Sequence, residues 1–208
     1  MSLLVVLDAD STLIQNEAIE LLAEEAGSLA LVAEVTERAM RGELDFAASL
    51  RERVATLAGL DTGVFERAGR RIVPTVGVHD LISAVHGVGG TVGVVSGGFH
   101  ELLDPVQATL GFDLWHANRL ECSDGQLTGH VRGDIVDAET KATMLQRWAA
   151  EIGATRTVAI GDGANDLKMM AAAHLGVAFC AKPVVRAQAS VAIDEPDLRH
   201  VIAALGLV

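Results

Sequence analysis

Residues 3–17 read LLVVLDADSTLIQNE, and the fold turns on how this stretch is read. Leu3 to Leu7 form an apolar run with the length and branching of a strand buried on both faces. The run ends abruptly at two carboxylates, Asp8 and Asp10. In an open α/β sheet, ligands bind outside the carboxyl ends of the strands, so two acids at that point read as chemistry rather than as solvated surface.

Working outward, the same kind of apolar run recurs as TVGVVS (91–96), TVAIGD (157–162) and LGVAF (175–179). Helical stretches separate these runs. HDLISAVHGVGG (79–90), TKATMLQRWAAEIG (140–153) and NDLKMMAAAHLG (165–176) each end in glycine, as a helix stop should. This alternation predicts an α/β fold, a doubly wound parallel sheet with right-handed crossovers. Two regions break the pattern. From about Gln15 to Arg71 only helical periodicity is present, as in EAIELLAEEAG (17–27) and FAASLRERVATLAG (46–59). That is too long for one crossover and predicts a small helical cap domain inserted after the first strand. The expected division is residues 1–14 and 73–208 for the core and 15–72 for the cap, with Pro74 marking the return. The second break, LWHANRLECSDGQLTGHV (114–131), reads as a hairpin turning at Asp124-Gly125.

Composition narrows the function. The chain has 208 residues, half of them hydrophobic, with 16 Lys and Arg against 28 Asp and Glu and a formal net charge of −12. Such an acidic chain is a poor candidate for binding a phosphate backbone, so no nucleic-acid partner is expected. Two cysteines, Cys122 and Cys180, make no disulfide framework and read as reduced thiols, Cys180 as a small buried apolar residue. No apolar run approaches the roughly 18 residues of a membrane span. With Met1 leading straight into the first strand, a soluble, cytoplasmic protein is expected. The seven histidines show no zinc-ligand spacing, and Trp115 and Trp148 read as packing residues.

Three strand ends supply candidate groups: Asp8 and Asp10; Ser96, Gly97 and Gly98; and Gly161, Asp162, Gly163, Asn165 and Asp166. Four carboxylates in one crevice repel unless a cation joins them. Magnesium suits such a set, being hard, oxygen-seeking and often shared with substrate phosphate. Glycine-rich turns can turn N–H groups toward an anion. Taken singly, each cluster reads more readily as a helix cap or a turn; the combination points to a phosphate-handling site.

These residues have a recognisable pattern. DADST (8–12) resembles the D-x-D-x-T signature of the haloacid dehalogenase (HAD) superfamily; VVSGGF (94–99), Lys141 and GDGAND (161–166) are similar to its other motifs in the expected order. Within that superfamily, DADSTLIQNE, LRERV, VVSGGF, ANRL, DGQLTG, VAIGDGANDLKMM and AFCAKP resemble the members that hydrolyse O-phospho-L-serine, over nearly the whole chain. The resemblance implies a Rossmannoid core and a Mg²⁺-dependent phosphomonoesterase that works through an aspartyl-phosphate, as the last step of serine biosynthesis. It implies Asp8 as nucleophile and Asp10 as general acid, then base. Mg²⁺ would be held by Asp8, the Asp10 carbonyl and Asp162, with Asp166 orienting the ligands and Thr12 steadying the loop. Ser96, Gly97 and Lys141 would hold the phosphoryl group, Asn165 would contact substrate, Glu17 would meet the ammonium and Arg53 the carboxylate. Phe46 and Met40 are candidate pocket residues. Ala9 departs from the large apolar residue more usual between the two acids and predicts looser packing beneath the loop. Two alternatives stay open from the residues: another phosphate ester or acceptor on the same fold, and a phospho-receiver module, for which Lys182 in AKP (181–183) invites comparison. A monomer or a homodimer fits equally.

Overall fold

The computed structural model describes residues 2–40 and 43–207. The first strand, β1 (Leu3–Leu7), is fully buried. Four helices follow: α1 (Ala18–Ala26), α2 (Leu29–Met40), α3 (Phe46–Ala55) and α4 (Val64–Gly69). The chain then alternates through α5 (Val78–Gly87), β2 (Thr91–Phe99), α6 (His100–Leu110), the hairpin β3 (Leu114–Ser123) and β4 (Gln126–Arg132), and α7 (Ala138–Glu151). It ends with β5 (Arg156–Gly161), α8 (Leu167–Ala172), β6 (Leu175–Phe179), α9 (Pro183–Arg186), β7 (Val191–Ile193) and α10 (Arg199–Leu205).

The seven strands form one sheet in the order β4-β3-β2-β1-β5-β6-β7. All pairs are parallel except β3 with β4. Strand β1 lies at the switch point, with β2 on one side and β5 on the other, so the crevice of a doubly wound sheet opens above its carboxyl end. Alternate residues of β1 feed opposite cores. Leu3, Val5 and Leu7 pack with Val78, Leu81 and Val85 of α5 and Val201 of α10. Leu4 and Val6 face Leu145 and Trp148 of α7 and Met169 of α8.

The four helices between β1 and α5 leave and return at one point. Ile14 and Pro74 form an antiparallel bridge, flanked by Gln15 N–H on the Val73 carbonyl at 2.8 Å and Thr75 N–H on that of Leu13 at 3.0 Å. Their core (Leu22, Leu50, Val54, Leu57) is shared with Phe99, Leu102, Leu120 and Leu127, so the helices rest on α6 and the hairpin. The hairpin turns at Asp124 (φ 51°) and Gly125 (φ 78°), the left-handed pair that a two-residue turn demands.

Two expectations need correction, and one strand was not anticipated. Gly176 does not stop the preceding helix, which ends at Ala172; it lies inside β6, where a side chain would crowd Met170. Strand β7 is too short to show a pattern in sequence. Cys180 is exposed, not buried, because it follows the last residue of β6 in a left-handed turn (φ 47°) that points it out of the core.

Candidate active site

The site begins where β1 stops. Asp8 N–H donates to the Ile160 carbonyl at 2.9 Å, prolonging the β1–β5 pairing by one residue. The chain then makes a wide turn, closed by Ile14 N–H on the Ala9 carbonyl at 3.0 Å, an i to i−5 bond of the kind found at functional bulges. Asp10 keeps an extended ψ of 134° and Ser11 takes a left-handed φ of 55°. This turn brings Asp8 and Asp10 to one cavity. Thr12 is fully buried beneath it and its hydroxyl has no partner among the described residues, so the residue holds the turn by packing rather than by a hydrogen bond. Ala9 is buried in the core beside a void of ≈ 10 Å³.

Strand β2 supplies the second cluster. It does not end at Val95; it runs on to Phe99 with a bulge, because Ser96 pairs with Ala117 and Phe99 already with Asn118. Bulges re-aim backbone groups next to active sites. Here the bulge is pinned from outside. Asn118, 1 % exposed, donates from Nδ2 to the Gly97 carbonyl at 2.8 Å and accepts Val136 N–H at 2.8 Å. Ser96 is buried behind the bulge, and its hydroxyl oxygen accepts Gly98 N–H at 2.9 Å. Sequence reasoning missed the part played by Asn118, whose signal was only a polar residue in an otherwise strand-like run.

The third cluster follows β5. A Cβ at Gly161 would overlap the Asp166 carboxylate, so only glycine lets the loop approach. Asp166 is fully buried; it accepts Lys141 Nζ at 2.7 Å and Gly163 N–H at 3.1 Å. Lys141, in the first turn of α7, is also fully buried, with Nζ 2.8 Å from Asp8 Oδ1. One ammonium thus serves two buried carboxylates. Asp8, Asp162 and Asp166 each offer an oxygen within 4.8 Å of the others. An all-oxygen, acid-rich donor set of this size fits a hard divalent cation.

Charge crowding shows in the titration of the acids. Burial, then Asp166, push Asp8 well above the ordinary carboxylate range against the pull of Lys141. Burial and the Glu17 carboxylate push Asp10 up to about 8. Burial, Asp166 and Glu17 push Asp162 up to about 6. Unpaired carboxylates in low dielectric favour the protonated form.

The helices after β1 close the other side. The cavity, ≈ 550 Å³, is lined by Asp8, Asp10, Gly97, Gly98, Asp162 and Asn165 below. Glu17, Ile19, Phe46, Leu50 and Arg53 are among the residues that line it above, and Lys182 also borders it. Burial lowers the pKa of Arg53, opposed by Glu17, Asp10 and Glu20. The Phe46 ring sits over Gly97, where an added Cβ would lie 3.0 Å from Phe46 Cζ. Of the residues expected at the site, Ser96 and Lys141 do not line the open cavity; both lie just beneath its floor. The side chain of Met40 lies outside the described residues.

A seven-stranded sheet with its switch point at β1, acids on two loops and a buried lysine between them define a class. The family model for haloacid dehalogenase-like hydrolases matches residues 5–171, and the chain belongs to that family. Among its relatives, the phosphoserine phosphatase of Streptococcus thermophilus is 54% identical over 201 residues, spanning 96% of this chain and 94% of the relative. That of Streptomyces coelicolor is 54% identical over 206 residues, 98% of this chain but 50% of its own length. A solved phospho-aspartyl intermediate analogue of phosphoserine phosphatase superposes with a TM-score of 0.92 at 41% identity, over 98% of both chains. A substrate-bound phosphoserine phosphatase complex does so with a TM-score of 0.92 at 40% identity and the same coverage. Among the described residues no helix is long and apolar enough to cross a membrane.

Proposed function

We propose that this chain is a Mg²⁺-dependent phosphomonoesterase that hydrolyses O-phospho-L-serine to L-serine and phosphate. The observation that carries this reading is one cavity holding a lysine-paired Asp8 on its floor and Glu17 with Arg53 on its roof. Phosphate, ammonium and carboxylate each find a group of matching charge. The similarity to phosphoserine phosphatases over nearly the whole chain supports the same substrate.

Asp8 attacks phosphorus, forming an aspartyl-phosphate as the bond to the seryl oxygen breaks. Asp10, raised to about 8 and so protonated at neutral pH, gives its proton to that oxygen. Serine leaves. Asp10, now a carboxylate, takes a proton from water, which attacks the phosphoryl group and frees Asp8. Lys141 Nζ lies beside the attacking carboxylate and counters charge on the phosphoryl oxygens, as do the Gly97 N–H and the Ser96 hydroxyl, whose proton remains available while its oxygen accepts Gly98 N–H. Asp8, Asp162 and the Asp10 carbonyl would hold Mg²⁺, with Asp166 orienting them; the cation supplies charge neutralisation between nucleophile and phosphate. Asn165 contacts the substrate from the cavity wall. Arg53 suits a bidentate carboxylate contact. We take residues 15–72 as the cap domain that carries this specificity.

The test is steady-state phosphate release with Mg²⁺ from phosphoserine and from p-nitrophenyl phosphate. Asp8→Asn abolishes both activities. Arg53→Ala lowers kcat/KM for phosphoserine about a hundredfold, and far less for the aryl ester, which has no carboxylate. Equal losses on both substrates would sink the specificity assignment.

A further inference from the structure

Ser11 stands between the two acids of the first loop and takes no part in the chemistry above. Its backbone is left-handed, φ 55° and ψ 8°, a conformation that glycine adopts freely and a residue with a Cβ does not. The chain nevertheless places a serine there, and its hydroxyl has a use. Ser11 Oγ donates to Glu17 Oε1 at 2.6 Å, while its N–H donates to the Asn16 carbonyl at 3.2 Å. Glu17 occupies the N-cap position of α1 but makes no side-chain cap bond. Its carboxylate is held from the nucleophile loop instead.

Glu17 faces the same cavity as Arg53 and its charge is felt there, but among the described residues no ion pair within 4.0 Å joins the two. A glutamate with three free torsions would turn toward that guanidinium and fill the space a zwitterion needs. Anchoring Oε1 on Ser11 holds the carboxylate on its own side of the cavity and leaves Oε2 to meet a cation.

We propose that Ser11 is the positioning residue for ammonium recognition, holding Glu17 off Arg53 so that the cavity selects phosphate esters carrying an α-ammonium group. This rests on the reading of Glu17 as the ammonium partner. Strain at a functional loop then has a concrete reason: the left-handed turn aims the hydroxyl at the cap.

The experiment compares kcat/KM for O-phospho-L-serine with that for 3-phosphooxypropanoate, which lacks only the ammonium. The variants are Ser11→Gly, Glu17→Gln and the double. Glycine keeps the left-handed backbone and removes only the hydroxymethyl group, so the fold is preserved. Ser11→Gly should lower the ratio of the two substrates about tenfold, through KM for phosphoserine rather than kcat, as for a lost hydrogen bond to a charged group. In the Glu17→Gln background it should lower the ratio no further. Equal loss on both substrates in Ser11→Gly, or an unchanged ratio beside a lowered one in Glu17→Gln, overturns the role of Ser11 alone. A ratio untouched by Glu17→Gln removes the ammonium reading and this inference with it.

Discussion

Replacing Lys141 by Met separates the electrostatics of the site from its packing, because the aliphatic stem is retained and only the ammonium is lost. Lys141 is fully buried, 2.8 Å from Asp8 Oδ1 and 2.7 Å from Asp166 Oδ1, with Asp8 5 % exposed and Asp166 not at all. Without the cation, two buried carboxylates face each other unpaired. Removing one partner of a buried pair costs about 3–5 kcal/mol, a large share of the roughly 10 kcal/mol expected for a chain of this length. The melting point should fall by about 6–20 °C. The sign of the pH dependence follows from which group titrates. The pKa of Lys141 is raised above its ordinary value, so its contribution in the wild type is complete throughout pH 5–8. In the variant Asp8, pushed up by burial and by Asp166, loses the opposing pull of Lys141 and binds a proton in the folded state that it releases on unfolding, so stability falls as pH rises from the ordinary carboxylate value near 4. The deficit should therefore be largest at pH 8 and shrink toward pH 5. Urea unfolding in EDTA, followed by the fluorescence of Trp115 and Trp148, measures it at both values. A deficit below about 1 kcal/mol at pH 8, or one equal at pH 5 and pH 8, would show that the ammonium does not compensate two buried charges.

The other consequences can be measured on the same preparations. Asp10 has a folded-state pKa of about 8 against an unfolded value near 3.9, so its ionisation subtracts stability progressively from pH 4 to 8; Asp10→Asn should flatten the fall in melting temperature between pH 5 and 8, and an unchanged slope refutes the assignment. Mg²⁺ at a hundred times its dissociation constant should stabilise the wild type by about 2.7 kcal/mol. Asp162→Asn should lose most of that gain while folding normally in EDTA, and titration calorimetry with and without the substitution decides the point. Asn118→Ala strands the Gly97 carbonyl and Val136 N–H; it should cost about 1–3 kcal/mol and lower kcat about tenfold by loosening the bulge that aims the Gly97 amide, whereas full activity at reduced stability would limit Asn118 to the fold.

The parts of this molecule that were legible in sequence are those where one physical demand fixes one residue pattern. A strand buried on both faces must be apolar throughout, so β1, β2, β5 and β6 announce themselves. A two-residue hairpin needs two left-handed residues, so Asp124-Gly125 does too. Asp8, Asp10 and Asp162 are visible because acids at the ends of such strands have no packing reason to be there. What stayed hidden depends on partners distant in sequence. Asn118 matters through Gly97 and Val136, and neither its own neighbours nor its polarity says so. Ser96 reads as the end of β2, yet the strand passes through it because Phe99 resumes pairing with β3 after the bulge. Cys180 looks like core from its place beside an apolar strand, and only the turn direction exposes it.

How the cavity is roofed also constrains how it can open. The segment joining α3 to α4 is stitched to the hairpin by three backbone bonds: Gly59 N–H to the Leu127 carbonyl at 2.8 Å, Leu127 N–H to that of Leu60 at 2.8 Å, and Thr62 N–H to that of Gly125 at 2.9 Å. Leu127 and Leu120 are buried among Leu50, Val54 and Leu57. A swing of all four helices as one body must break those bonds, at about 1 kcal/mol each, and expose that shared apolar surface as well. Helix α2, which brings Thr36 and Ala39 to the cavity, is joined to α3 by an ion pair between Arg38 and Glu52 at 2.7 Å, Arg38 half-buried and Glu52 exposed, a contact worth about 0–1 kcal/mol. Among the described residues its buried apolar anchors are Val32 and Val35. Arg53, carried on the stitched α3, is therefore held over the cavity by the hairpin as well as by its own helix.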